Sequence, residues 1–286
     1  MPAQTAIRPL TITSSQRAEL RSSGFLAIPG ALDAVEVERL TSALNRVYNE
    51  ESPHANGAMH LLGGIGRDDA FVELIDHPAV FPLIWGELGW NIYVYHSHLD
   101  MNPPRTAPRA SAVWGWHQDG GRQNLDLETD PRPRLSLKVA YWLSDLSAPG
   151  RGNMLVIEGS HTRNSLARPG PGASFEPPAG ARPILAAAGD ALIFDRRLWH
   201  SRSDNLSKLT RKAIFIAYTH RWIRPRDRLQ IQAGDARFAR LSPVRRQLLD
   251  GDAGPHSHWG LGEERIPLRV ELDRRDLLDP SIPSHR

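Results

Sequence analysis

Asn91-Ile92-Tyr93-Val94-Tyr95-His96-Ser97-His98-Leu99 is where the periodicity of this chain turns from helical to extended. Similar β-prone runs follow at 111–119, 135–143, 153–158, 191–195 and 213–222, each bounded by Pro, Gly, Asp or Asn. No regular helical crossovers lie between them, which disfavours a parallel α/β sheet. The pattern predicts a mainly β fold with flanking helices, a sandwich or jelly roll.

Upstream of Asn91, residues 14–50 read as two helices around the extended segment Phe25-Leu26-Ala27-Ile28. Asp33 with Glu36 three residues later makes a capping-box start, and Val37, Leu40, Leu44 and Val47 then recur at helical spacing. Two further helical pieces are expected, one after Asp68 and one from Pro78 to Gly89. The stretches 120–134 and 168–183 read as long surface loops of the kind that form lids. Beyond about 225 the pattern weakens to one short helix from Ser242-Pro243 through Leu249, and loosely held final residues are expected.

The chain of 286 residues is long enough for one substantial core, and one domain over 1–286 is expected. It has no cysteine, so any metal must use nitrogen and oxygen ligands. Its 35 basic and 32 acidic residues are interspersed, and the basic stretch Arg221 to Arg228 lacks interleaved aromatics, which argues against nucleic acid as a partner. No run approaches the roughly 18 apolar residues of a membrane helix, and Met1-Pro2-Ala3-Gln4 does not resemble a secretory signal. A soluble, cytoplasmic protein with no membrane partner and a small-molecule substrate is expected.

Trp116-His117-Gln118-Asp119-Gly120 is the first constellation with chemistry in it. On a strand, residues at i and i+2 share a face, so His117 and Asp119 can reach one ion. His200, delivered after the apolar run Ala191 to Phe194, completes two imidazoles and a carboxylate, leaving positions for a chelate and dioxygen. Taken alone, a His-x-Asp pair is as readily a surface pair, and a lone His a structural one. Arg211 lies eleven residues beyond His200 and opens an apolar strand, from which its guanidinium can grip a carboxylate or form a surface ion pair.

Together these motifs resemble the phytanoyl-CoA dioxygenase family of iron(II)- and 2-oxoglutarate-dependent oxygenases. Gly24 to Leu32 is similar to the family's opening segment and Trp116 to Asp119 to its W-H-Q-D. Gly152 to His161 is similar to its turn ending in Gly-Ser-His, and Gly189-Asp190 through His200, Ser203, Asn205, Ser207 and Arg211 to its distal block. The resemblance spans about 20–222, with 223–286 as a C-terminal extension. It implies a double-stranded β-helix, the cupin-like jelly roll, with His117, Asp119 and His200 binding iron(II) and Arg211 the distal carboxylate of 2-oxoglutarate. It also implies that dioxygen is consumed as 2-oxoglutarate decarboxylates to succinate and carbon dioxide. The outcome is hydroxylation or a related desaturation, epoxidation or ring closure. Halogenating relatives have Gly or Ala where Asp119 stands, so halogenation is not expected.

Secondary contacts are less uniquely indicated. His98 and Asn102, on the strand before the metal motif, are alternatives for a second contact to 2-oxoglutarate, and Ser203 is a further candidate. Lys138 is unusual in the apolar run Leu135 to Trp142. Either it meets the co-substrate carboxylate or its amine snorkels to water at an edge. Arg122, in the loop after the ligands, is expected to offer charge to an acidic group of the substrate or else to sit in a solvated loop. Trp114, Trp116, Trp142 and Trp199 suit a ring-containing substrate and suit core packing equally. A non-catalytic jelly-roll binding protein and a cupin-like metalloenzyme that uses no oxo acid are the competing readings; Arg211 argues against the second.

Overall fold

The computed structural model describes residues 11–51, 57–108, 115–168, 170, 177–228, 235–249 and 266–286, and the structural statements below concern these. Helix α1 (Ser14–Ser23) starts at a Thr13/Gln16 capping box and stops at Gly24, whose φ of 83° suits a left-handed helix end. Strand β1 (Phe25–Ile28) leads to α2 (Ala34–Glu50), where the expected capping box is present: Asp33 Oδ1 accepts from the Glu36 amide and Glu36 Oε2 from the Asp33 amide, both at 2.8 Å. Leu40, Ala43, Leu44 and Val47 of α2 are buried. Next come β2 (Met59–Leu62), α3 (Asp69–Val72) and α4 (Phe81–Leu88). Helix α4 begins three residues later than expected, with Pro82 rather than Pro78 in its first turn.

The β region holds β3 (Ile92–Asn102), β4 (Ser136–Trp142), β5 (Met154–Ile157), β6 (Ala181–Pro183), β7 (Ala191–Asp195), β8 (His200–Arg202) and β9 (Arg211–His220), with the one-turn helix α5 (Gln123–Asp126) between β3 and β4. A six-stranded antiparallel sheet has the order β1-β7-β4-β9-β3-β2, and a three-stranded sheet the order β6-β5-β8. This is the expected jelly roll.

Side-chain alternation explains why the central strands are apolar throughout. Val139 and Tyr141 of β4 and Ile214, Ile216 and Tyr218 of β9 face the helices. Ala140, Trp142, Ala213 and Phe215 face the other way, into a second cluster with Met154 and Val156 of the small sheet. Polar residues on this inner face are therefore buried between sheets, and that is where Lys138, His98, Asp100 and Arg211 lie.

Two expectations need correction. The described part of the 111–119 run is not a strand: only His117 pairs there, in an isolated bridge to His200, while Trp114 and the rest of 109–114 lie outside the described residues. The final residues are docked, not loosely held. Helices α6 (Ala236–Ala239), α7 (Pro243–Leu248) and α8 (Pro267–Arg274) follow β9. From α7, Gln247 donates to the carbonyls of Trp90 and Ile92 at 3.0 and 3.1 Å, and His285 is buried against the Gly86 carbonyl. No helix among the described residues is long and apolar enough to cross a membrane.

Candidate metal centre and its cavity

His117 and His200 exchange both backbone hydrogen bonds, each at 3.0 Å, and the Asp119 amide donates to the Arg196 carbonyl at 2.8 Å. Three backbone bonds thus stitch 117–119 against 196–200, so a single bridge places the side chains that a full strand was expected to place. Gly120 has a φ of 129°, which a residue with a Cβ adopts only under strain, and a Cβ there would also push on the ends of the Arg196 and Asn124 side chains, at 2.4 and 2.6 Å.

One ligand atom from each of His117, Asp119 and His200 lies within 4.8 Å of the other two. The rings are oriented by their own backbone: His117 Nδ1 donates to the Gly115 carbonyl at 2.8 Å and His200 Nδ1 to the Leu198 carbonyl at 2.9 Å. Each imidazole is thereby fixed in the tautomer that leaves Nε2 as a lone-pair donor. Burial and the neighbouring His117 push the His200 imidazole down to about 4, so it is neutral at ordinary pH, as a metal ligand must be. Burial alone would raise the Asp119 carboxyl, but Lys138 and the two histidines outweigh it and hold it well below the usual carboxylate range. Two imidazole nitrogens and one carboxylate oxygen grouped together, without sulfur, fit a divalent iron ion with open positions.

The three residues open onto a cavity of about 350 Å³. Arg211 lines the same cavity; 3% exposed, it pairs through Nη1 with buried Asp100 and stacks over Trp142 and Phe215 at 5.1 and 5.7 Å from the ring centres. Its Nε is buried without a hydrogen-bond partner, so one edge of the fork keeps donor capacity. Arg202 also reaches Asp100, at 3.1 Å. Burial would raise Asp100, yet Arg211, His60 and Arg202 hold it far below the ordinary range.

The remaining sequence-derived candidates separate clearly. His98 lines the cavity, stacked on Phe215 at 4.2 Å and bonded to His96 at 3.2 Å. Asn102 and Ser203 do not line it; the Asn102 carbonyl accepts from Asn205, and the Ser203 hydroxyl turns to the Asp204 carbonyl. Arg122 is a correction: its side chain is 81% exposed and pairs with Asp126 on α5, away from the cavity. Lys138 is buried and lines the cavity, but its ammonium sits 2.8 Å from Asp119 Oδ2, on the ligand carboxylate and not poised for a co-substrate. Lys138→Met is expected to weaken iron(II) binding by about 10- to 100-fold while leaving the dependence on 2-oxoglutarate unchanged, read by metal titration and steady-state kinetics.

Sequence reasoning missed Asp100, His60, Phe215 and Arg226 in the cavity wall. A signal for Asp100 was present: His96, His98 and Asp100 are spaced by two and face the same side of β3. Arg226 sits in a turn after β9, where no periodicity reports direction.

The sequence model of the phytanoyl-CoA dioxygenase family matches residues 20–213. L-proline trans-4-hydroxylase of Streptomyces griseoviridis is 25% identical over 226 residues, covering 68% of this chain and 82% of the relative. HygX from Streptomyces hygroscopicus, solved with nickel and 2-oxoglutarate bound, superimposes with a TM-score of 0.62 at 17% identity, covering 79% of this chain and 94% of its own. EctD from S. alaskensis with bound Fe gives 0.59 at 18% identity, covering 73% and 77%. The structural likenesses show the fold.

Proposed function

The chain belongs to the phytanoyl-CoA dioxygenase family of iron(II)- and 2-oxoglutarate-dependent oxygenases, and from that premise we propose that His117, Asp119 and His200 hold its iron and that Arg211 takes the distal carboxylate of 2-oxoglutarate. The observation that carries this reading is the convergence of two oriented Nε2 atoms and one carboxylate oxygen at a cavity that also contains a buried guanidinium. Bound iron supplies dioxygen activation coupled to decarboxylation of 2-oxoglutarate to succinate and carbon dioxide.

The protein's own share is positioning and exclusion of water. The backbone carbonyls of Gly115 and Leu198 orient the two imidazoles, and Lys138 neutralises the oxygen of Asp119 that does not face them. Phe194, Phe215 and Met154 supply apolar wall to the cavity, which protects a reactive centre from bulk water. Asp119 fills the position a halide would need, so the reaction is read as hydroxylation of a small molecule rather than halogenation.

Anaerobic titration of the apoprotein with iron(II) and then 2-oxoglutarate tests the reading. A weak visible charge-transfer band from the chelate, followed on admission of air by succinate formation, is the expected result. Iron binding without the band would favour a metalloenzyme that uses no oxo acid.

A further inference from the structure

We infer that the substrate carries a carboxylate and that the Arg226 guanidinium holds it at the cavity wall; this rests on the oxygenase reading above and adds a substrate class to it. Arg226 lies beyond residues 20–213 matched by the family model.

Charge accounting inside the cavity motivates the inference. Four cationic side chains line it: Lys138, Arg202, Arg211 and Arg226. Lys138 is paired with Asp119, and Arg202 and Arg211 share Asp100. Arg226 has no carboxylate within ion-pair distance among the described residues; the contact of its guanidinium is His96 Nε2 at 3.5 Å. The neighbouring Asp227 is occupied elsewhere, accepting from His96 Nδ1 and from the Ser97 amide at 3.1 Å. Burial lowers the His96 and His98 imidazoles, so neither adds charge near neutrality. Iron(II) and the 2-oxoglutarate dianion cancel each other, and the loaded cavity keeps a positive excess. A neutral substrate would partly desolvate Arg226 without compensation, whereas a carboxylate matches its planar fork.

Arg226 is itself an exposed residue, but the backbone that carries it is held in place. After β9 the chain folds back over β3: the Arg221 amide donates to the Asn91 carbonyl at 3.1 Å, the Tyr93 hydroxyl to the Ile223 carbonyl, and the Arg226 amide to the Tyr95 carbonyl at 2.9 Å. Tyr95 is available because β3 skips register with β9 between Val94 and His96, and a bulge leaves its carbonyl unpaired in the ladder. On the other side, a Cβ at Gly63 would lie 2.4 Å from the Arg228 carbonyl oxygen, so the turn is pressed against the residue following β2.

The test is calorimetric titration, under anaerobic conditions, of protein loaded with iron(II) and excess 2-oxoglutarate. The probes are acetate, benzoate and L-proline, each against its primary amide, with the charge-transfer band monitored to show that the chelate persists. At least one acid is expected to bind about tenfold or more tightly than its amide. Arg226→Gln should erase that preference, Arg226→Lys should keep part of it, and neither should change 2-oxoglutarate affinity. Amides binding as well as acids, no acid binding to the wild type, or an unchanged preference in Arg226→Gln would each overturn the inference. If the band never forms, the reading of the site fails first and this inference with it.

Discussion

His200→Ala is expected to abolish the charge-transfer band and take turnover below detection. Of the three proposed ligands, His200 is the one that comes from the distal half of the chain, so its loss leaves only the local His117/Asp119 pair, two donors for an ion that needs a third to be held. The neighbours cannot compensate. The other imidazoles on this cavity are His60, His96 and His98: His60 is drawn to Asp100 at 3.4 Å, and His96 and His98 are committed to each other at 3.2 Å, with His96 also held by Asp227. The variant should still fold, because the reciprocal backbone bonds between 117 and 200 survive any side chain at 200, and among the described residues the His200 ring makes no hydrogen bond beyond the one to the Leu198 carbonyl. Near-UV circular dichroism of the apoprotein checks that point, and metal titration reads the effect. A variant that keeps the band with native-like iron affinity would remove His200 from the centre.

How far the sequence alone reached depends on whether function needed period or position. The cluster proposed to hold the metal was legible because its spacing is set by covalent geometry: two positions apart on an extended chain is enough to bring His117 and Asp119 together, whether or not a full strand surrounds them. The long strands β3, β4, β7 and β9 were legible because both faces are buried, which writes an apolar run into the sequence. The strands β2, β6 and β8 were not. They have four, three and three residues, too few for a period to show, and β8, His200-Ser201-Arg202, has no apolar residue to mark it. Lys138 was legible as an anomaly but not as a partner of Asp119, since that contact crosses from β4 to a segment that no periodicity aligns with it. Arg122 misled for the converse reason: nearness in sequence to the ligands does not carry it into the cavity, because Gly120 and Gly121 turn the chain outward and α5 then pairs Arg122 with its own Asp126.

The second large effect is expected at Arg211, and Asp100 gives it a distinctive sign. Arg211→Ala should raise the KM for 2-oxoglutarate about a hundredfold, the equivalent of roughly 3 kcal/mol for removing one partner of a buried charged pair. Part of that loss comes from Asp100, whose carboxylate stays buried with only Arg202 and His60 in place of the Arg211 guanidinium. Asp100→Asn should move affinity the other way. The amide oxygen can still accept from Arg211 Nη1 and keep the fork aimed, while the negative charge that competes with the co-substrate for the same guanidinium is gone. Tighter 2-oxoglutarate binding in Asp100→Asn, with iron affinity unchanged, therefore separates direct carboxylate binding by Arg211 from a merely structural ion pair. If Arg211 only braced β9 against β3, both substitutions would destabilise the fold and neither would shift the 2-oxoglutarate dependence at temperatures where the protein remains folded.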